Sequence, residues 1–221
     1  MHSKLLLAGV LALGCAGAFA QSAGNFVVYG GAVQVRPQVD SGDLSAPSLA
    51  GTKIDVNKAS AFVGGITYYW TDNISIDLPI GAPFKHDIVG AGAIAGVGRL
   101  GTVKSMPITL LGQYRFGSPT STLRPFIGAG YTYGRFFKPE ATAVLSGITG
   151  GTPANPTLLS LKSAGGPTVE LGTAWRLTQD WSASLSLTKT FIKTTGQLST
   201  GQRIDATLDP VSIKFGIGYK F

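Results

Sequence analysis

Six polar residues stand on the side opposite the apolar residues of stretches that alternate with a period of two. They are Asp77, Gln113, Arg115, Glu170, Arg176 and Lys214. If these stretches are strands of one sheet, alternate side chains point to opposite faces, so the six residues share one face. Charges buried on such a face have to pair with one another. Two interpretations follow: a polar plug that closes an enclosed lumen, or a polar relay that guides a solute out of it.

Hydrolytic and metal-dependent chemistry have little support in the sequence. Cys15 is the only cysteine, and His2 and His86 are the only histidines. Ser-His catalysis needs a histidine bonded to the nucleophile and an orienting group behind it, and the neighbours of His86 indicate a solvated rim. One histidine and scattered carboxylates give no metal-ligand cluster. We therefore predict no enzyme activity and no cofactor; a small acyltransferase, phospholipase or protease is the enzymatic alternative.

The first twenty residues are typical of a secretory signal peptide. Lys4 precedes an apolar stretch at 5–16, and Ala-Phe-Ala at 18–20 supplies small residues before a cleavage site. We expect cleavage at Ala20/Gln21, with 1–20 removed and 21–221 forming one domain. A lipoprotein signal ending at Cys15 is the alternative. It fits less well, because Ala12 stands where a large aliphatic residue is expected.

The elements that must position the polar residues are eight alternating stretches of about ten residues. That is the length a tilted strand needs to cross a membrane. In the third stretch Ile74, Ile76 and Ile80 oppose Ser75 and Asp77, and we expect such apolar faces to contact lipid. In the first stretch, by the same reasoning, Val27, Tyr29, Val33 and Val35 form the apolar face. The stretches are 25–35, 58–70, 74–82, 106–116, 123–137, 167–177, 181–194 and 211–221.

The connections between these stretches alternate in length. Short turns follow the second, fourth and sixth stretches, and long loops occupy 36–57, 83–105, 138–166 and 195–210. Trp70, Trp175 and Trp181 all stand beside short turns, as an interfacial aromatic girdle requires. The pattern predicts an all-β protein: an eight-stranded antiparallel transmembrane β-barrel with short periplasmic turns and long extracellular loops, in a Gram-negative outer membrane. A soluble lipocalin-like barrel is the alternative, but its apolar face would point inward.

Several short motifs resemble the outer membrane protein W (OmpW) family, and the similarity covers nearly all of the chain after residue 20. They are PFKH at 83–86, LLGQYRFG at 110–117, RPFIGAG at 124–130, LDP at 208–210 and GYKF at 218–221. The resemblance implies an eight-stranded barrel with a narrow, largely apolar lumen that conducts small hydrophobic molecules; some members are bacteriocin receptors. It also implies that bulky apolar side chains close the lumen near Pro79 and Gly165. Neither residue is bulky, which leaves the gate unassigned.

The function predicted is a narrow channel for passive passage of small hydrophobic molecules. Glycines at candidate inward positions, such as Gly65, Gly128 and Gly172, indicate free space in the lumen. Because proline cannot donate to a ladder, a sideways exit is expected in the wall. The lateral exit candidates are Pro79, Gly165 and Pro167. The alternative function is a structural or receptor barrel with a plugged lumen, serving stress protection, adhesion or bacteriocin binding without transport.

The expected partners are membrane components. The formal net charge is +7, and a secreted basic protein meets anionic lipid rather than nucleic acid. Four basic residues near the outer rim are candidates for contact with lipopolysaccharide: Lys85, Arg135, Lys138 and Lys189. Phe215, Tyr219 and Phe221 resemble the assembly signal read by the outer-membrane insertion machinery.

Overall fold

The computed structural model describes residues 22–221, most of them in antiparallel sheet. The expected signal peptide and its cleavage site at Ala20/Gln21 lie outside the described residues. In chain order the elements are β1 (Phe26–Arg36), β2 (Asp40–Ser41), β3 (Thr52–Val56), β4 (Ala59–Tyr69), β5 (Ile74–Gly81), β6 (Phe84–Gly92), β7 (Arg99–Arg115), β8 (Leu123–Ala141), α1 (Ala143–Thr149), β9 (Leu159–Leu161), β10 (Ala164–Arg176), β11 (Trp181–Thr190), β12 (Lys193–Leu198), β13 (Arg203–Thr207) and β14 (Val211–Lys220).

Eight of these strands close into a barrel. Their order around the wall is β1, β4, β5, β7, β8, β10, β11 and β14, each antiparallel to the next. The first and last strands complete the ring, with Val27 opposite Lys220 and Arg36 opposite Val211. The predicted eight-stranded antiparallel barrel is therefore confirmed. Closure matters because it removes the exposed sheet edges that a membrane would leave without hydrogen-bond partners.

The outer face of the wall is apolar, as the alternation predicted. Leu110, Leu171 and Tyr131 are each more than half exposed although they lie in the middle of long strands. The first strand is the exception, because Val33 and Val35 line an interior cavity and the neighbouring Phe26 and Val28 point outward. The assignment of the first strand to lipid by its valines was wrong. Because the upper lumen is also apolar, the inward and outward faces of this strand do not differ in polarity. Its valines therefore could not indicate which face contacts lipid.

The long connections are folded rather than irregular. β7 begins at Arg99 instead of residue 106, and β8 continues to Ala141 instead of residue 137. β3 and β6 extend the wall at β7, and a separate four-stranded sheet has the order β2-β13-β12-β9. These strands were not predicted because their exposed faces are polar and not apolar: Lys85 of β6 and Arg203 and Asp205 of β13 are exposed, while the residues that follow them are buried.

The loops share an apolar core above the barrel. Ile94, Leu100 and Leu145 are buried against one another, with Ile54 and Leu198 packed around them. Leu145 belongs to α1, a seven-residue helix capped by Thr142 at its start and by Gly150, whose backbone is left-handed, after its end. Within residues 22–221, no helix is long and apolar enough to span a membrane.

Candidate functional site

Asp77 is the centre of a polar network that crosses the lower lumen. One carboxylate oxygen accepts a hydrogen bond from the Thr67 hydroxyl at 2.7 Å, and the other accepts from the Tyr29 hydroxyl at 3.2 Å. The Lys214 amine lies 3.2 Å from the same carboxylate and 3.5 Å from Glu170. The two carboxylates and the ammonium therefore form a buried triad, in which one cation is shared by two anions.

Gln113 joins this triad to a buried arginine. Its amide nitrogen donates to Glu170 at 2.7 Å, and its amide oxygen accepts from Arg115 at 2.7 Å and from the Ser75 hydroxyl at 3.0 Å. The Arg115 guanidinium also lies over the ring of Phe126, 4.6 Å from its centroid. The network runs from β1 across the lumen to β10 and β14, so it ties together strands that are not neighbours in the wall.

Five of the six residues expected in a polar plug are thus in one connected cluster: Asp77, Gln113, Arg115, Glu170 and Lys214. Arg176 is not, since within the described residues its side chain bonds to none of them. It lies lower, at the last position of β10. The sequence reasoning did not identify Tyr29, Thr67 and Ser75 as members. Tyr29 was assigned to the lipid face. Thr67 and Ser75 could not be recognised, because a hydroxyl side chain on a strand looks the same in sequence whether it joins a hydrogen-bond network or contacts water.

Glycines in the lower lumen accommodate large side chains rather than leaving an open passage. A Cβ atom at Gly65 would lie 2.3 Å from the Tyr29 hydroxyl oxygen, and one at Gly172 would lie 2.3 Å from the Phe126 ring. The expectation that these positions leave free space was wrong for this half of the barrel. The glycines allow the polar cluster and its aromatic neighbours to fill the lumen.

Above the cluster lies an apolar cavity of about 210 Å³. Glu170 and Lys214 belong to its floor, and Lys214 also borders a smaller cavity of about 30 Å³ on the other side. An apolar cavity of about 150 Å³ holds benzene, so this space has the size for one small hydrophobic molecule. The walls and roof come from both barrel strands and loops, among them Val63, Phe84, Ile88, Leu100, Val103, Leu145, Leu159, Ile192 and Ile204.

A row of threonine hydroxyls lies across the wall just above the floor. Successive oxygen-to-oxygen distances along the row are 2.9, 2.7 and 3.0 Å, and either oxygen can donate at each step. Because each hydroxyl hydrogen can point either way along the row, the hydroxyl at its end can act as a donor or as an acceptor to a ligand. Its members, on β7, β8, β10 and β11, are Thr109, Thr132, Thr168 and Thr190.

His86 lies in the cavity wall and not on a solvated rim, contrary to expectation. The side chain is buried, its ring centroid is 6.0 Å from that of Phe84, and Nδ1 lies 3.0 Å from the carbonyl oxygen of Asn57. Since a carbonyl only accepts, Nδ1 carries the proton. Burial lowers the pKa of His86 below its ordinary value, an effect opposed in part by the Asn57 hydrogen bond and the Asp87 carboxylate. The imidazole is therefore neutral at pH 7.

The barrel wall is interrupted between β5 and β7. Their pairing runs from Ile74 opposite Tyr114 to Asp77 opposite Leu111 and stops there. The next pair on that side of β7 is Ser105 with Phe84 of β6. In the same register, Pro79 and Gly81 would face Thr109 and Pro107. Two prolines without N–H groups stand at the gap, so the ladder cannot be completed there.

The gap lies between the cavity and the lipid face. Pro79 and Pro107 line the cavity from inside, while Ile80 and Ile108 on the same two strands are exposed outward. At the other expected exits β10 pairs with β8 without interruption, including Gly165 opposite Tyr133 and Pro167 opposite Tyr131. On its other side β10 pairs with β11 from Thr168 only, so Pro167 stands just before that ladder. A proline at the start of a paired segment is compatible with the ladder if its missing N–H is not needed.

The remaining sequence-predicted residues lie on the outer surface. Lys85, Arg135 and Lys138 are exposed near the loop end, and the Lys189 amine donates to the Asp209 carbonyl at 2.7 Å. At the other end, Tyr219 packs against Trp181 and Phe221, with centroid distances of 5.1 and 5.0 Å. Phe215 is half exposed on the same face. The aromatic contacts beside the short turns fit an interfacial girdle.

Residues 22–221 match the OmpW family. The outer membrane protein W of Escherichia coli strain K12 is 33% identical over 208 residues, covering 92% of each chain. The dibenzothiophene metabolism operon protein PahQ of Pseudomonas aeruginosa is 25% identical over 181 residues, covering 80% of this chain and 79% of that one. Among solved structures, OprG from Pseudomonas aeruginosa superposes with a TM-score of 0.80 at 26% identity, over 91% of this chain and 98% of that one. AlkL, determined in lipid bilayers, gives 0.67 at 20% identity, over 95% and 96%.

Proposed function

The chain belongs to the OmpW family of outer-membrane barrels, and we propose that it conducts small hydrophobic molecules from the outer surface into the membrane. The observation that carries this proposal is an apolar cavity of about 210 Å³ with a polar floor and a break in its wall. The floor closes the straight route to the periplasm. A solute that reaches the cavity therefore has to leave sideways.

The driving force for loading is transfer of apolar surface out of water. Each buried CH₂ group contributes about 0.8 kcal/mol, so a ring or short chain of six carbons gains about 5 kcal/mol before the cost of immobilisation. The loop residues Ile88, Leu100 and Leu159 extend the apolar surface from the barrel to the loop core. A molecule with one hydroxyl or carbonyl group can form a hydrogen bond with the threonine row at the cavity floor.

The polar cluster blocks such a solute for an energetic reason. Passing it would require separating Lys214 from Asp77 and Glu170, and breaking a buried ion pair costs several kcal/mol. The gap between β5 and β7 needs no such separation. Its edges are Pro79 and Pro107, and its outer flank is apolar. At 78–81 β5 forms no ladder with β7, so no backbone hydrogen bond between these strands has to break. A relative associated by name with dibenzothiophene metabolism is in keeping with an aromatic solute.

Uptake of naphthalene by whole cells tests the proposal, with glucose as a polar comparison. Gly134 lines the cavity, and a Cβ atom there would meet its neighbours at ordinary contact distances of 3.5 Å and longer. Gly134→Leu should therefore fold, fill the cavity and slow naphthalene uptake. Gly30→Leu is the matched control, since Gly30 is exposed and a Cβ atom there meets nothing within 4 Å.

The expected result is slower naphthalene uptake for Gly134→Leu and wild-type uptake for Gly30→Leu, with glucose unaffected in both. Equal naphthalene uptake by cells with and without the wild-type protein would refute the channel. The plugged lumen would then favour the alternative, a structural or receptor barrel without transport.

A further inference from the structure

Three basic side chains share a patch on the outer surface of β6, β7 and β8. Lys85 stands directly opposite Lys104, and Lys104 is followed two residues later by Met106, which stands opposite Arg135. Their chain neighbours Phe84, Ser105 and Phe136 line the cavity, so alternation turns the three basic residues outward. We call Lys85, Lys104 and Arg135 the cationic triplet.

The triplet carries charge that the described protein does not balance. Like charges directly opposite each other on paired strands are destabilising. Within residues 22–221 none of the three forms an ion pair. The nearest acidic residues along these strands lie closer to the loop end and contact other groups. Asp87 is 3.6 Å from Arg99, and Glu140 accepts a hydrogen bond from the Thr102 hydroxyl at 3.3 Å. An arrangement that costs stability in isolation indicates an anionic partner.

The height of the triplet identifies where that partner lies. Arg135 follows Tyr133 by two residues on the same outward face, and Tyr131 and Tyr133 are both about half exposed. On the neighbouring strand, the exposed Ile108 and Leu110 lie just below Met106. Tyrosines above an apolar band mark the interface of a bilayer. The triplet is therefore at the level of lipid headgroups, on the long-loop side.

We propose that the cationic triplet binds a phosphate group of a phosphorylated glycolipid in the outer leaflet. Two lysines supply point charges, and Arg135 supplies a planar fork that can donate two parallel hydrogen bonds to one phosphate. This site differs from the four residues expected from the sequence. It includes Lys104, and it excludes Lys189, whose amine is already held by a carbonyl oxygen. The site lies outside the cavity and does not depend on the channel proposal.

The test compares two triple variants of the same charge. Lys85→Gln/Lys104→Gln/Arg135→Gln removes the triplet, and Lys53→Gln/Lys193→Gln/Arg203→Gln removes three exposed cations elsewhere on the loops. Affinity is measured by titrating purified protein in neutral detergent with lipopolysaccharide, with its dephosphorylated form and with inorganic phosphate. We expect about tenfold weaker lipopolysaccharide binding for the triplet variant, from the loss of two exposed and one half-buried charge contact. The control variant should bind like wild type.

A conservative variant separates charge from shape. Lys85→Arg/Lys104→Arg keeps both cations and should bind lipopolysaccharide as tightly as wild type. Equal losses in the triplet and control variants would mean that net charge alone attracts the lipid, which overturns the site. Unchanged affinity after dephosphorylation, or inorganic phosphate displacing the lipid at stoichiometric concentration, would also overturn the assignment to a lipid phosphate.

Discussion

Removing Lys214 should destabilise the barrel more than removing any rim cation, because this ammonium lies between two buried carboxylates. It is 3.2 Å from Asp77 and 3.5 Å from Glu170, and all three side chains are at most 13% exposed. In Lys214→Met, Asp77 keeps two hydroxyl donors and Glu170 keeps the amide of Gln113. Since one Glu170 oxygen has no other hydrogen bond in the described protein, that charge is left poorly compensated.

The expected loss for Lys214→Met is about 3–5 kcal/mol, the cost of leaving a buried charge without its partner. The free energy of unfolding is measured by urea titration of the folded barrel in phospholipid vesicles, with tryptophan fluorescence as the signal. Lys193→Met is the control, since Lys193 is exposed; it should change stability by less than about 1 kcal/mol.

A second variant shows whether charge or packing is responsible. Lys214→Met/Asp77→Asn/Glu170→Gln removes all three charges at similar volume and should recover most of the lost stability. If the single variant loses less than about 1 kcal/mol, the triad does not hold the lumen closed. If the triple variant is as unstable as the single one, the loss comes from packing, and the electrostatic reasoning fails.

Two further predictions concern the cavity wall and the lower lumen. Burial lowers the pKa of His86 in the folded protein. Below about pH 6.5 the unfolded state therefore binds more protons than the folded state. The free energy of unfolding should decrease there by at most about 1.4 kcal/mol per pH unit. This slope, measured by urea titration between pH 7 and pH 5, should be reduced in His86→Asn; an unchanged slope would assign it to other groups. Gly65→Ala should displace Tyr29 from Asp77 and cost about 1–3 kcal/mol, whereas Gly30→Ala should be nearly neutral; equal unfolding midpoints for the two variants would contradict the close packing at Gly65.

The barrel could be predicted because its signals are local. Short turns at 70–73 and 177–180 alternate with long loops, and in the lower parts of β5 and β7 outward apolar residues such as Ile76 and Tyr114 alternate with the inward Asp77 and Gln113. Asp77, Gln113 and Lys214 could be identified in the same way, since a charge in an alternating strand must point away from lipid. Their partners could not be named, because register between distant strands such as β1 and β5 is set only when the barrel closes.

The upper half was harder to predict for a physical reason. In the upper half, the outward face of a strand contacts lipid or loops and the inward face lines the apolar cavity. Both faces are therefore apolar, and Val33 and Val35 were assigned to the outward face although they point inward. The loop strands β12 and β13 are stabilised by pairing with each other and not by lipid. Pro79 indicated a weak point in the wall, but the break depends equally on Pro107, which lies on a different strand and was not recognised.

The central claim is that hydrophobic solutes leave the cavity between β5 and β7, and closing that gap with a disulfide tests it most directly. Ile80→Cys/Ile108→Cys places two thiols on its outward edges, and Ala129→Cys/Val169→Cys places two on the closed seam between β8 and β10, where those residues are directly opposite. The only natural cysteine is Cys15, in the expected signal peptide. Oxidation should slow naphthalene uptake through the first variant alone, and reduction should restore it. Undiminished uptake through the oxidised gap variant, with the disulfide verified by mass, would contradict the lateral exit.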